Sequence, residues 1–227
     1  MNKIKNHIEN YVNALNDARA ALDTKKGCKI TISKGNSKMG YIASVSTLPL
    51  ITCPGVCRDT CACSCYADKI ATAYNSVKKS YARNTAIALY RPDLYFDQIK
   101  TACQMVTFFR WHVSGDIINK SYFENMVKIA KATPHCKHLA FTKRYSVVND
   151  YLKNGGKIPK NLKIIFSAWG SFTPENPYNL PMSNFYDNSN PFQKGWKKCG
   201  GNCEKCALNC VGCWTLKNGQ VIAFEKH

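Results

Sequence analysis

Apolar residues recur at helical spacing from the start of the chain. Ile4, Ile8, Tyr11, Val12, Leu15, Ala18 and Leu22 fall on one face, and Lys25-Lys26-Gly27 closes the helix they predict. Cys28 to Ser33 reads as a short strand, and the two glycines of Gly35-Asn36-Ser37-Lys38-Met39-Gly40 read as a loop. A long helical stretch is expected from about Ala67 to Ala88, with Pro92 beyond it. The period then changes. Val106 to Val113, His138 to Thr142 and Leu162 to Trp169 read as strands, rich in β-branched and aromatic residues. Between them Ser121 is placed to cap a helix carrying Phe123, Met126, Val127 and Ala130, and Tyr145 to Asn154 predicts another, closed by Gly155-Gly156. Val221-Ile222-Ala223-Phe224 is a last strand.

Strands alternating with helices predict an α/β fold, either an open parallel sheet or a partial (β/α) barrel. The expected organisation is an N-terminal helix over 1–27, an α/β core over 28–195, and a Cys-rich segment over 196–227 packed on that core.

Composition changes the picture in two ways. Thirteen of 227 residues are cysteine. The N-terminus has no apolar signal segment, and no run of about 18 apolar residues predicts a membrane span. A cytoplasmic, reducing setting follows as the expectation, and clustered thiols there read as metal ligands rather than disulfides. The second feature is charge: 32 Lys and Arg against 14 Asp and Glu give +18. Such an excess attracts polyanions, so nucleic acid is a plausible partner and a host protein an alternative.

The C-terminal cysteines run Cys199, Cys203, Cys206, Cys210 and Cys213 before Trp214. Cys203-x-x-Cys206 and Cys210-x-x-Cys213 are separated by three residues. Zinc ribbons space such pairs by about 15–20 residues, so a compact iron–sulfur cluster fits better and zinc is the alternative. The earlier group holds Cys53, Cys57, Cys61, Cys63 and Cys65, too many for one four-ligand site. Cys65 precedes a helix start, where the dipole favours a thiolate. The expected ligands are Cys53, Cys57 and Cys65 with Cys203, Cys206, Cys210 and Cys213, and the two groups are free to share a site. Cys61, Cys63 and Cys199 have no assigned role. Cys28, Cys103 and Cys136 stand alone, with buried packing as their expected role.

The strand ending Arg110-Trp111-His112-Val113-Ser114-Gly115-Asp116 is the other informative stretch. Alternation puts Phe108, Arg110, His112 and Ser114 on one face, and polar groups on a buried parallel strand predict a cavity. Ser114-Gly115-Asp116 then falls at the strand's carboxyl end, where α/β folds place ligands. Gly115 would let a ligand approach the backbone closely. Thr142-Lys143-Arg144 and Ser167 end later strands. Arg110, His112 and Asp116 are candidate catalytic residues. Ser114, Gly115, Asp116 and Ser167 are candidate cofactor contacts.

Several motifs together resemble the phage gene product 88 family: Gly35 to Gly40, Ser46-Thr47, Thr52-Cys53-Pro54-x-x-Cys57, Cys65-Tyr66-Ala67, His112 to Asp116, and the closing segment ending in Cys213-Trp214. The resemblance covers roughly residues 30–215. More distantly, the chain is similar to radical S-adenosylmethionine enzymes. Their three-cysteine loop holds a four-iron (4Fe-4S) cluster with one iron open for the cofactor, and a later Gly-Gly-Glu-Pro motif binds the cofactor's amino group. Ser114-Gly115-Asp116 stands at about the corresponding interval from Cys65, and Asp116 takes the carboxylate's place. The chain departs from that pattern in having Cys53-x3-Cys57-x7-Cys65 and no proline after the acidic residue. The resemblance implies an iron–sulfur enzyme that uses S-adenosylmethionine. The alternatives are a non-catalytic iron–sulfur or zinc protein that binds through its basic surface, and a redox carrier. No Walker loop, dinucleotide-binding glycine fingerprint or nucleophile elbow is present.

Overall fold

The computed structural model describes residues 2–226. One eight-stranded sheet organises them. Its strands are β1 (Ile32–Ser33), β2 (Ala43–Val45), β3 (Phe108–Trp111), β4 (Lys137–Thr142), β5 (Leu162–Ser167), β6 (Met182–Tyr186), β7 (Lys197–Lys198) and β8 (Val221–Glu225), in the order β1-β2-β3-β4-β5-β6-β8-β7. Only the β1–β2 pair is antiparallel; all the other neighbours run parallel. The two edges do not pair with each other, so the sheet is open.

The helices are α1 (Asn2–Ala20), α2 (Val56–Asp59), α3 (Tyr66–Ala73), α4 (Asn75–Tyr90), α5 (Pro92–Gln104), α6 (Lys120–Ala132), α7 (Tyr145–Lys153) and α8 (Cys203–Leu208). The expected single helix from Ala67 to Ala88 is two helices, because Tyr74 is extended (φ −120°, ψ 104°) and breaks the run. α5 was not expected. It opens on Pro92, whose missing N–H costs nothing in a first turn. α6 is capped by Asn119 rather than Ser121: the Asn119 side chain accepts from the Tyr122 N–H at 2.9 Å. None of the helices is long and apolar enough to cross a membrane.

Strand alternation divides the core. Phe109, Trp111, Ala140, Ile164 and Phe166 face the helices and pack with Ile87, Ile99, Phe123, Met126 and Val148. Leu139, Ile165 and Ile222 face the other way and are covered by Met39, Ile42, Ala207, Trp214 and Leu216. A parallel sheet needs both faces buried, and here the second cover is the Cys-rich segment instead of a helix layer. Right-handed crossovers explain the split. From β2 to β6 the order is sequential, so the connecting helices share one face. After β6 the chain runs outward to β7 and then returns to β8. A right-handed return in that direction crosses the opposite face, and it carries α8. All the loops that follow β2, β3, β4 and β5 therefore open at the same carboxyl edge.

Candidate metal centres

The loop after β2 folds as α2, then a 3₁₀ turn at Ala62–Ser64, then α3. Near-helical coiling puts residues four apart on one side, so Cys53, Cys57, Cys61 and Cys65 turn toward one region. The Cys57 thiol shares hydrogen bonds first with Cys53 and then with Cys61, and these together with burial push its pKa far up. Cys61 is pulled down to about 6, chiefly by its hydrogen bond with Cys57 and then by the charge of Lys143 against burial. Cys65 is pushed up to about 11 by burial, opposed by the N–H groups of Asp68 and Ala67 at the start of α3. Cys63 is exposed. Cys61, given no role from sequence, belongs with this set geometrically.

The second set lies on the sheet face away from the helices. Cys203 and Cys206 are on α8, whose Asn202 cap accepts from the Lys205 N–H at 2.9 Å. Cys199 follows β7 and is held by its N–H to the Ala223 carbonyl (2.8 Å). Cys213 sits in a 3₁₀ turn at Gly212–Thr215. Cys206 is raised by burial and then by the charges of Cys199 and Cys203. Cys213 is raised to about 12 by burial, with Cys199, Cys203 and Cys206 adding to it. A Cβ at Gly200 or Gly212 would stand 3.3 Å from the Cys206 sulfur, so the sulfur lies in a cradle of bare backbone. Cys210, expected as a ligand, points away. Its φ is 50°, it is exposed, and its sulfur accepts from Lys137 Nζ at 3.9 Å. Cys199 lies near Cys206 and Cys213. The two groups do not merge into a shared site, since each gathers its own four cysteines.

Zinc–sulfur bonds of about 2.3 Å would set tetrahedral sulfurs about 3.8 Å apart. Among the described residues, three ligand atoms mutually within 4.8 Å occur only at Cys103, Cys136 and His138. In neither cysteine quartet do three sulfurs come mutually that close. The Cys103, Cys136 and His138 group could hold a metal ion, and it is fully buried in the helix-side core. Its imidazole is already engaged at both nitrogens. The Trp111 Nε1–H donates to Nδ1 (3.3 Å), and Nε2 pairs with the Thr133 hydroxyl (3.0 Å), which donates to the Ile129 carbonyl (2.8 Å). Cys103 and Cys136 hydrogen-bond each other, raising the first thiol and lowering the second. They are buried as expected but not isolated. Cys28 is only half-buried, with its thiol on the Lys25 carbonyl.

The strand-end residues hold the first cysteine loop in place. Asp116 Oδ1 accepts from the Thr142 hydroxyl (2.6 Å) and the Ile117 N–H (2.7 Å), and Oδ2 from the Lys143 N–H (2.8 Å). Burial pushes its pKa up against these three donors. The Asp116 N–H donates to the Thr52 hydroxyl (3.2 Å), and Arg144 Nη2 to the Thr52 carbonyl (3.1 Å). Thr52 immediately precedes Cys53, so the loop is tied to the ends of β3 and β4. Ser114 donates to the Thr47 carbonyl (2.9 Å). Gly115 (φ 79°) is needed because any Cβ there would run into the Thr47 and Thr52 hydroxyls. Close approach therefore does occur at Gly115, and the approaching groups are these threonines. Ser167 receives Lys143 Nζ on its hydroxyl (2.7 Å) and carbonyl (2.8 Å).

The model of one family, Gene product 88, matches residues 13–211. The chain belongs to the Gene product 88 family. No curated protein and no solved structure matches it. The matched stretch contains Cys53 to Cys65 and Cys199 to Cys210 and stops short of Cys213.

In this Gene product 88 protein His112 does not share a face with Arg110. Alternation fails because His112 has φ 51°, which turns its ring into the helix layer, where Nε2 pairs with the Tyr122 hydroxyl at 3.0 Å. Nδ1 is buried without a partner. Burial pushes the His112 pKa from 6.5 down to about 3. Between those values the unfolded chain binds the proton and the folded one does not, so stability falls as pH drops from 6.5 toward 3. The slope is up to about 1.4 kcal/mol per pH unit. His112→Asn, a residue tolerant of positive φ, is expected to flatten urea midpoints measured from pH 7 to 5; parallel slopes in the two proteins would refute this.

Arg110 keeps the expected face and donates to the Cys203 sulfur at 3.7 Å. Tyr66 lies between the two sets. It follows Cys65, donates to the Val113 carbonyl, and feels the charges of Arg110, Cys65 and Cys203.

Proposed function

We propose that this protein is an iron–sulfur enzyme of the radical S-adenosylmethionine kind, with two metal centres. Cys53, Cys57 and Cys65 hold the first, and Cys199, Cys203, Cys206 and Cys213 hold the second. The observation that carries the reading is placement: the first cysteine loop leaves the first parallel strand of a sequentially ordered sheet and lies at its carboxyl edge. Five sequentially ordered parallel strands, β2 to β6, fit the layout of a partial barrel, and ligands of α/β sheets sit at this edge.

A four-iron cluster with one iron free of protein supplies single-electron reduction of S-adenosylmethionine. The chain's own residues position and enclose. Thr52, Asp116 and Arg144 fix the loop. Lys143, anchored on Ser167, brings positive charge to Cys61. Arg110 and Tyr66 line the face between the centres. Both Asp116 oxygens hold hydrogen bonds of the fold, so its part in this reading is positioning.

Anaerobically purified protein is expected to contain iron and sulfide and to cleave S-adenosylmethionine. Cys57→Ser is expected to abolish cleavage, while Cys61→Ser retains iron and activity. Iron-loaded protein that neither binds nor cleaves the cofactor would sink the reading. It would favour the second one, a non-catalytic iron–sulfur or zinc protein that binds nucleic acid or a host protein through its +18 surface. Cys61 favours that second reading, because it completes a closed set of four thiols. In that case nucleic-acid affinity should fall steeply with salt.

A further inference from the structure

Among the described residues no carboxylate pairs with Arg110. Arg110 is half-buried on the sheet face under the Cys-rich segment. Its Nη1 donates to the Cys203 sulfur at 3.7 Å, and its guanidinium lies 5.1 Å from the centre of the Phe141 ring. Its Nε is buried with no partner. The ion pairs among the described residues are His7–Asp68, Arg91–Asp23, Lys120–Glu124 and Lys226–Asp187, and none includes Arg110.

A partly desolvated guanidinium is costly unless a counter-charge meets it. Thiols do not supply one, whereas thiolates bound to a metal do. Resting on the two-centre reading above, we propose that Arg110 is the counter-ion of the Cys199, Cys203, Cys206 and Cys213 centre and sets its reduction potential. Positive charge and an N–H donor at a ligand sulfur stabilise the reduced cluster, which carries one more negative charge than the oxidised one. Arg110 is thus a positioning and tuning residue that touches a ligand and not a substrate. Lys137 is an internal control. It lies on the same face, over the Phe108 ring, but its ammonium reaches Cys210, which is outside the set.

The test is a redox titration of the full chain, loaded anaerobically and followed by electron paramagnetic resonance. The couple that disappears in Cys206→Ser identifies this centre. In Arg110→Gln, at the wild-type midpoint, the reduced-to-oxidised ratio is expected to fall about tenfold, which is 59 mV for one electron. Iron and sulfide should stay at wild-type levels. Arg110→Lys keeps the charge but not the fork, and should shift the midpoint downward by less. Lys137→Gln should leave it in place. If Arg110→Gln fails to retain the centre, the Arg110→Lys midpoint decides. An unchanged midpoint in the retained variant overturns the proposal while leaving the two-centre reading intact. Wild-type protein without iron and sulfide overturns both, and metal analysis alone separates that outcome.

Discussion

Replacing Asp116 by Ala is expected to lower stability by about 4 kcal/mol, and Asp116→Asn by about half as much. The carboxylate satisfies the Thr142 hydroxyl and two backbone N–H groups, and Asp116 is 5 % exposed. Removing it strands three donors where water does not reach, at about 1–3 kcal/mol each, with some relief from relaxation. Asparagine keeps one acceptor oxygen but sets an N–H₂ group against the Lys143 N–H. With a urea slope of about 2 kcal/mol per molar, the alanine midpoint should drop by about 2 M. A drop under about 0.5 M would mean that these bonds do not anchor the sheet end. The change should also loosen the first metal loop, because the carboxylate pins the turn whose Asp116 backbone N–H donates to the Thr52 hydroxyl. Iron lost from the first centre but not the second would report that link.

The second large effect separates Cys199 from Cys210. Cys199→Ser is expected to lose the second centre, roughly halving iron and sulfide per chain, while Cys210→Ser keeps both. The loss should reach the fold. The segment over the sheet buries only Ala207, Trp214 and Leu216 of its own residues against the strands. That is about 1.5–3 kcal/mol for each large side chain before ordering entropy is subtracted. For comparison, structural zinc in zinc-finger peptides supplies about 10–16 kcal/mol. Limited proteolysis should therefore cut Cys199→Ser between residues 199 and 216 while the helix-side core stays intact. Iron retained in Cys199→Ser and lost in Cys210→Ser would reverse the assignment.

The strands and the helix-side core were readable because burial imposes periodicity. β3 and β5 lie within the stretches whose β-branched and aromatic residues predicted them, and β4 and β8 exceed theirs by one residue. β6 escaped, since Met182-Ser183-Asn184-Phe185-Tyr186 carries polar residues that the core nevertheless buries. The break at Tyr74 escaped because the apolar spacing of α3 and α4 runs on across it. The open sheet could not be distinguished from a barrel by alternation alone, as both have the same local pattern.

The sequence by itself determined that cysteine chemistry dominates this protein, that two separate stretches carry it, and that parallel strand ends gather beside one of them. Tertiary structure alone decided which thiols gather and what the strand-end residues do. Cys61 lies beside Cys57 and Cys199 beside Cys206, while Cys210 is exposed. His112 turned from the face of Arg110 into the helix layer. Asp116, Ser114 and Gly115 bind the protein itself. The physical reason lies in the backbone. His112 and Cys210 adopt positive φ, 51° and 50°, without being glycine. One such residue redirects its side chain away from the side that spacing assigns to it. At His112 that conformation goes with a distant contact, to Tyr122, which residue spacing does not encode; at Cys210 it is the left-handed residue of the turn that ends α8, with the Cys210 N–H on the Ala207 carbonyl and the Val211 N–H on the Cys206 carbonyl.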